Sequence, residues 1–295
     1  MKNKIVWPFL VFSLFFINLS IAQNLEDYLS AYTGDNGKGY VKPLADAFGA
    51  NINSGFYHDA DIPFAGVNIY VGVVTMTAFV SDDSKTFDAK TGEFFLPETT
   101  VKVPTIFGDT EGTTVDGNAG TSYKFPGGLG ISKLPIAVPQ ITVGSFMGTD
   151  ATLRYIQLDV DDNIGELSVF GFGVRHSISQ YIPLFPLNIA GGLYYQTFDV
   201  GDIIEANAFA LSVQGSYSLP FFTFYGGLSY ETASLDIKYE FGSGEDTEEI
   251  SFSLDAENNV RLTLGAAVQL SVFTLHADYN IGNQDVFVLG LGFEF

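Results

Sequence analysis

Over most of the second half of the chain, apolar and polar residues change places at every step. In Val260–Leu270 the side chains of Val260, Leu262, Leu264, Ala266, Val268 and Leu270 share one face, and Arg261, Thr263, Gly265, Ala267 and Gln269 share the other. The next run sets Phe273, Leu275, Ala277, Tyr279 and Ile281 against Thr274, His276, Asp278 and Asn280. Upstream, Asn207, Phe209, Leu211, Val213 and Tyr217 oppose Ala206, Ala208, Ala210, Ser212, Gln214 and Ser216. A period of two is that of a β-strand with chemically different faces, not of a helix. From Thr223 the apolar face carries Phe224, Gly226, Leu228 and Tyr230; a change of phase near Ala233 predicts a bulge that puts Leu235, Ile237, Tyr239 and Phe241 on one face.

The connections fall into two kinds. Ser271-Val272, Ser218–Phe221, Tyr181–Pro186 and the neighbourhood of Met147-Gly148-Thr149 are short and almost uncharged. Between them lie acidic connections, Asp159–Asn163, Asp199–Glu205 and Phe241–Glu257, the last holding Glu245, Asp246, Glu248 and Glu249. A soluble sandwich also alternates, with its apolar face inward, but has no reason to sort its turns. A closed barrel that crosses a membrane does, because its two rims meet different compartments.

The fold expected is therefore all-β: a transmembrane antiparallel β-barrel of about twelve strands, within a range of about ten to fourteen. The strands are placed near 48–59, 64–79, 93–104, 136–146, 151–160, 166–178, 188–199, 205–217, 222–241, 250–270, 273–282 and 286–295. The stretch Ser81–Pro135 is rich in Gly, Pro, Asp and Thr and reads equally well as a folded loop. The last run, Val286–Phe295, stops on an aromatic in mid-alternation, which a barrel permits because its final strand pairs with its first and leaves no edge.

The N-terminus divides the chain further. Lys2 and Lys4 precede an apolar run from Ile5 to about Ile17 and the small residues Ser20 and Ala22, the form of a secretory signal cleaved after Ala22. Residues 1–22 are read as that signal, 23–46 as a helical plug segment in which Leu25, Tyr28, Leu29 and Tyr32 share a helical face, and 47–295 as the barrel.

Composition removes several classes of function. With 13 Lys+Arg against 34 Asp+Glu, the net charge of −21 repels nucleic acid and anionic lipid surfaces. There is no cysteine, which excludes disulfide scaffolds, thiol catalysis and thiolate metal sites. Beyond the signal, no run approaches the ~18 apolar residues of a spanning helix, so an exported chain this rich in Gly and aromatics can reside in a bilayer only as a barrel.

The signal, the alternating strands and the C-terminal run with Leu291, Phe293 and Phe295 together resemble bacterial outer-membrane β-barrel proteins. That resemblance implies residence in the outer membrane of a Gram-negative cell, contact with its lipid, and delivery by the barrel assembly machinery through the strand ending in Phe295. The segments NLEDYLSAY and GYVKPLADAFGANINSGFYHDA, with VPQITVGSFMGTDATLRY (Val138 to Tyr155), are similar to the long-chain fatty-acid transporter-like barrels and their Bacteroidota relatives. This implies a small hydrophobic ligand and a periplasmic or lumen-inserted lead segment; a tail that merely caps the barrel is the alternative.

Catalytic and metal motifs are not evident. His58, His176 and His276 lack zinc-site spacing and no HExxH or GxSxG occurs. The acidic run from Asp159 has Ile164 and Phe170 where a calcium loop needs Gly and Glu. No enzyme activity, cofactor or metal is expected, with an embedded lipid-modifying enzyme as the third reading after transporter and structural or interaction protein. The phase of the strands turns Arg261, His276, Asp278 and Arg175 toward the lumen. The phase around Arg154 fits either face, and Arg154 is placed with them because an Arg at mid-depth on the lipid face costs roughly 2–4 kcal/mol. These five are the candidate lumen residues. Inside, the arginines can pair with Asp278 or Glu231 and close the lumen, or hold an anionic headgroup.

Overall fold

The computed structural model describes residues 34–92, 95–161, 165–182, 185–201, 203–241 and 248–295; the signal expected over 1–22 and the helical face expected over Leu25–Tyr32 lie outside them. The elements in chain order are α1 (Gly34–Ile52), β1 (Ala65–Phe79), β2 (Thr86–Lys90), β3 (Thr100–Pro104), β4 (Thr113–Asp116), β5 (Ser122–Phe125), β6 (Lys133–Phe146), β7 (Thr149–Asp161), β8 (Gly165–Ser177), β9 (Asn188–Val200), β10 (Ile204–Ser218), β11 (Phe222–Phe241), β12 (Glu248–Asp255), β13 (Val260–Leu270), β14 (Phe273–Ile281) and β15 (Val286–Glu294). Ten of these strands form an unbroken ring: β1, β6 to β11, then β13 to β15, which returns to β1. The closing ladder runs from Tyr70↔Glu294 to Ala78↔Val286, and Phe295 exchanges both backbone hydrogen bonds with Ile69 at 3.0 and 3.1 Å. The terminal aromatic is thus part of the seam that abolishes the edge.

Side chains sort as the alternation requires. Leu193, Leu211, Leu228, Leu264 and Leu289 point out and are exposed, while Ser212, Gln214, Thr263, Thr274 and Asn280 point in and are buried. An apolar exterior around a polar interior inverts a soluble protein, and fits hydrocarbon outside. Among the described residues no helix is long and apolar enough to cross a membrane.

The ring holds ten strands rather than about twelve. Residues 48–59 are not a strand: they are the end of α1 and the start of an irregular segment. Leu44, Phe48 and Ile52 recur every four residues, a spacing that satisfies both periods, and here the helix prevails. The run near 93–104 supplies only β3, in a hairpin with β2 outside the ring, and β4 and β5 form a second hairpin. Ser81–Pro135 is therefore mostly a folded loop. The stretch 250–270 divides into β13, which pairs with the first half of β11, and β12, which pairs with its second half outside the ring.

No bulge occurs near Ala233. The β10–β11 register is continuous from Ser218↔Thr223 to Ile204↔Ile237. Leu235 and Ile237 keep the inward phase, and they are apolar because α1 fills that end of the barrel. Tyr40, Val41, Leu44, Phe48 and Ile52 of α1 pack there with Phe198, Leu235, Ile237 and Val286, and the long connection after β1 clasps the helix from above. In that clasp Tyr40 Oη donates to the Gly127 carbonyl at 2.9 Å, and Asn36 bonds the Lys90 backbone at 2.8 and 3.1 Å.

One ladder is short. β6 and β7 pair from Phe146↔Thr149 to Gln140↔Arg154 and no further, although β6 continues to Lys133 beside β1 and β7 to Asp161 beside β8. Pro135 and Pro139, in the part of β6 that is laddered to β1 but not to β7, have no N–H to offer on that side.

Candidate functional site

Residues 53–64 leave α1 at the long-loop rim, descend through the barrel and enter β1 at the short-turn rim. This segment is the centre of the molecule, and the inward residues of the strands grip it at three levels.

At the upper level Arg261 of β13 forms a buried ion pair with Glu231 of β11, which also accepts from Asn258. The same guanidinium donates to Ser54 Oγ and, at 3.3 Å, to the Ala50 carbonyl near the C-terminus of α1. A cation there offsets the negative end of the helix dipole and satisfies a carbonyl that the helix cannot.

At the middle level Arg154 donates to Gln140 Oε1 at 2.8 Å and Gln196 Oε1 at 3.0 Å. Its guanidinium lies 3.7 Å from the centre of the Phe56 ring. Among the described residues it has no carboxylate partner, and its Nη2 has no acceptor. Burying a charge this way is costly; the ring face and two amide oxygens carry the compensation. Gly55, with φ +74°, turns the chain beside it, and a Cβ there would come within 2.7 Å of Val74. Asp278 accepts from Tyr225 Oη at 2.8 Å and Asn280 Nδ2 at 2.6 Å.

At the lower level Arg175 donates to Asp150 at 2.5, 3.0 and 3.2 Å and to the Asp59 backbone oxygen at 2.6 Å. His58 stacks on His276 with ring centres 4.9 Å apart and lies 3.4 Å from Glu294 Oε2. Asn68 and Thr274 also donate to Glu294, at 3.2 and 3.1 Å. His58, Asp59 and Asp61 lie in the irregular segment and not on a spanning strand. Burial pulls His58 toward the neutral form, but the bond to Glu294 and the charges of Asp59 and Glu294 outweigh it, so its pKa is raised. Burial raises Asp59, and burial followed by Glu294 raises Asp61.

All five residues picked by alternation are inside and buried: Arg154, Arg175, Arg261, His276 and Asp278. Of the anticipated pairs, Arg261–Glu231 forms. Asp278 instead bonds a tyrosine and an asparagine, and Arg175 finds Asp150. His58, Asp59, Asp150 and Glu294 did not stand out in sequence, although Glu294 alternates with the outward Phe293 and Phe295 of the last strand. The segment leaves little room. A cavity of about 10 Å3 lies against Ser54, Tyr57 and Arg261, and one of about 20 Å3 against His58, Asp59, Arg175 and Glu294. Each holds about one water.

A profile of a protein family matches this chain along residues 1–295. The chain belongs to the family of unknown function DUF6588. No curated protein matches this DUF6588 member. Among solved structures it is similar to the outer-membrane protease OmpT of Escherichia coli, at 8% identity and TM-score 0.36, over 80% of this chain and 98% of that one. The translocator domain of the autotransporter NalP of Neisseria meningitidis gives 12% identity and TM-score 0.30, over 80% and 91%. The toluene transporter TbuX of Ralstonia pickettii gives 9% and 0.24, over 85% and 99%. These likenesses are too slight to carry a function from those proteins to this DUF6588 member.

Proposed function

We propose that this protein resides in a bacterial outer membrane and passes small apolar or amphipathic compounds, with residues 53–64 as its plug. The observation that carries the reading is the parting of β6 from β7 above the Gln140↔Arg154 pair. Everywhere else in the ring neighbouring strands are laddered along most of their shared length. Both flanks of the parting are apolar: Leu134, Ile136, Ala137 and Val138 on β6 belong to the cluster around α1, and Ile156 and Leu158 on β7 pack against it. An apolar compound entering at the long-loop rim therefore meets apolar side chains that lead to a wall with few hydrogen bonds to break. The polar grip on the plug supports the same reading, since ion pairs and amide bonds can be exchanged for water when the segment moves, which an apolar core resists.

In this account the first 22 residues direct export, the strand ending in Phe295 engages the barrel assembly machinery, and the protein catalyses no reaction. The similarity of its lead segment to fatty-acid transporter-like barrels of Bacteroidota names long-chain amphiphiles as the first compounds to try. The test is uptake of a fluorescent fatty acid into proteoliposomes: faster uptake than into protein-free vesicles supports transport. The cavities of about 10 and 20 Å3 favour a second reading, a closed barrel whose acidic loops contact a partner. Vesicles that neither swell in small solutes nor take up the fatty acid would favour that reading.

A further inference from the structure

We propose that His58, Asp59 and Glu294 form a divalent-cation site, suited to zinc, that fastens the lumen segment to the last strand of the barrel. The inference does not depend on transport. His58 Nε2 lies 3.4 Å from Glu294 Oε2 and 3.9 Å from Asp59 Oδ2, and one ligand atom from each residue can be chosen so that all lie within 4.8 Å of one another. Tetrahedral zinc, with N and O ligands at roughly 2.0–2.2 Å, places its ligands ~3.4 Å apart. The His58–Glu294 separation already has that value, and Asp59 needs to move by about an ångström.

Three further observations point to a cation here. Asp59 Oδ1 is buried without a hydrogen-bond donor, its nearest cationic atom being Arg175 Nη2 at 3.5 Å, and that guanidinium is already committed to Asp150. The cavity beside the cluster is lined by the carboxyls of Asp59, Asp150 and Glu294, with the exposed Asp61 at its edge, against the guanidinium of Arg175 and the imidazole of His58. Negative charge is therefore in excess in a buried space, a condition that a divalent ion relieves. Finally, Glu294 is held in place by Asn68 and Thr274 on the strands either side of it, the outer-shell support that aligns a ligating carboxylate. One imidazole with two carboxylates suits zinc or manganese better than calcium, which takes six to eight oxygens. Three protein ligands leave a fourth position for water, for which the cavity of about 20 Å3 has room.

The experiment is calorimetric titration of zinc chloride into the full chain in detergent, purified without a polyhistidine tag and stripped with chelator, with calcium chloride as the control. One zinc per chain is expected, weakened about tenfold or more in His58→Gln and in Glu294→Gln, and unchanged in His176→Gln, which lies outside the cluster. Each variant is first shown to be a barrel by its shift in migration between heated and unheated samples. Should both cluster variants fail that check, the wild type loaded with cobalt decides, since a tetrahedral N/O site gives intense visible absorption. Wild type that takes up no stoichiometric zinc overturns the proposal. So does a folded His58→Gln that binds zinc like the wild type, or a cobalt-loaded wild type without the tetrahedral signature.

Discussion

Arg175, on β8, donates to the backbone oxygen of Asp59 at 2.6 Å and faces that residue's carboxylate at 3.5 Å, so one strand residue holds both backbone and side chain of the segment that fills the barrel. Asp150 on the adjoining strand neutralises and aims the guanidinium. The barrel and its plug are therefore one electrostatic unit at the short-turn rim, and this unit invites direct perturbation.

Arg175→Ala leaves Asp150 and Asp59 buried without their cation, a loss that ordinarily costs about 3–5 kcal/mol. The expected result is a folded barrel whose residues 53–64 exchange backbone amides faster, read by hydrogen–deuterium exchange in detergent. Unchanged exchange across that segment would mean that Arg175 does not hold it.

The upper grip behaves differently under single and double substitution. Arg261→Ala strands Glu231 and removes the donor to Ala50 and Ser54, and should lower the urea midpoint by an amount equivalent to about 3–5 kcal/mol. Replacing both partners, as Arg261→Met with Glu231→Leu, should recover most of the loss, because no unpaired charge remains. A double variant as unstable as the single one would show that the helix-end contacts, not the ion pair, carry the effect.

Gly290 sits opposite His276, where an added Cβ would collide with Nε2 of the imidazole. Gly290→Ala must push the imidazole off its stack with His58, at a cost of about 1–3 kcal/mol. Combining it with His276→Ala removes the collision, and the pair should be more stable than Gly290→Ala alone. Thermal unfolding of the three variants measures this, and additive losses would contradict the close approach.

The grip also depends on pH. Because the folded pKa of His58 lies above its ordinary 6.5, its contribution is complete below about that value and is lost as pH rises through the raised one. The protection of the amides of residues 53–64, corrected for the base catalysis common to all amide exchange, should therefore fall as the medium turns alkaline, and His58→Gln should remove that fall. A profile that is the same in both proteins would assign the effect elsewhere.

Much of this was legible in the sequence where one physical constraint acted alone. In β13 and β14 each inner position meets the lumen and each outer position meets lipid, so Arg261, His276 and Asp278 could be placed by counting in twos. The reading failed where a second constraint entered. Leu235 and Ile237 looked like a change of phase because the interior was assumed polar throughout, yet α1 makes its upper end apolar. Residues 48–59 kept a spacing common to helix and strand. The lower cluster was out of reach for another reason: His58 and Glu294 are 236 positions apart and meet only once the ring has closed. Glu294 faced inward by its phase, but nothing in the sequence announced which residue the lumen segment would bring to it.

The whole account rests on the direction in which adjacent side chains point, and Phe224 and Tyr225 test it on one strand. Phe224 is 55% exposed on the outer face and Tyr225 is 5% exposed inside. The sequence has one tryptophan, Trp7, so in a chain that begins at Gln23 Phe224→Trp and Tyr225→Trp each give a single reporter. In bilayers of brominated lipid, the fluorescence of Phe224→Trp should be strongly quenched and that of Tyr225→Trp should not. Equal quenching of the two, or the reverse order, would contradict the inside-out barrel.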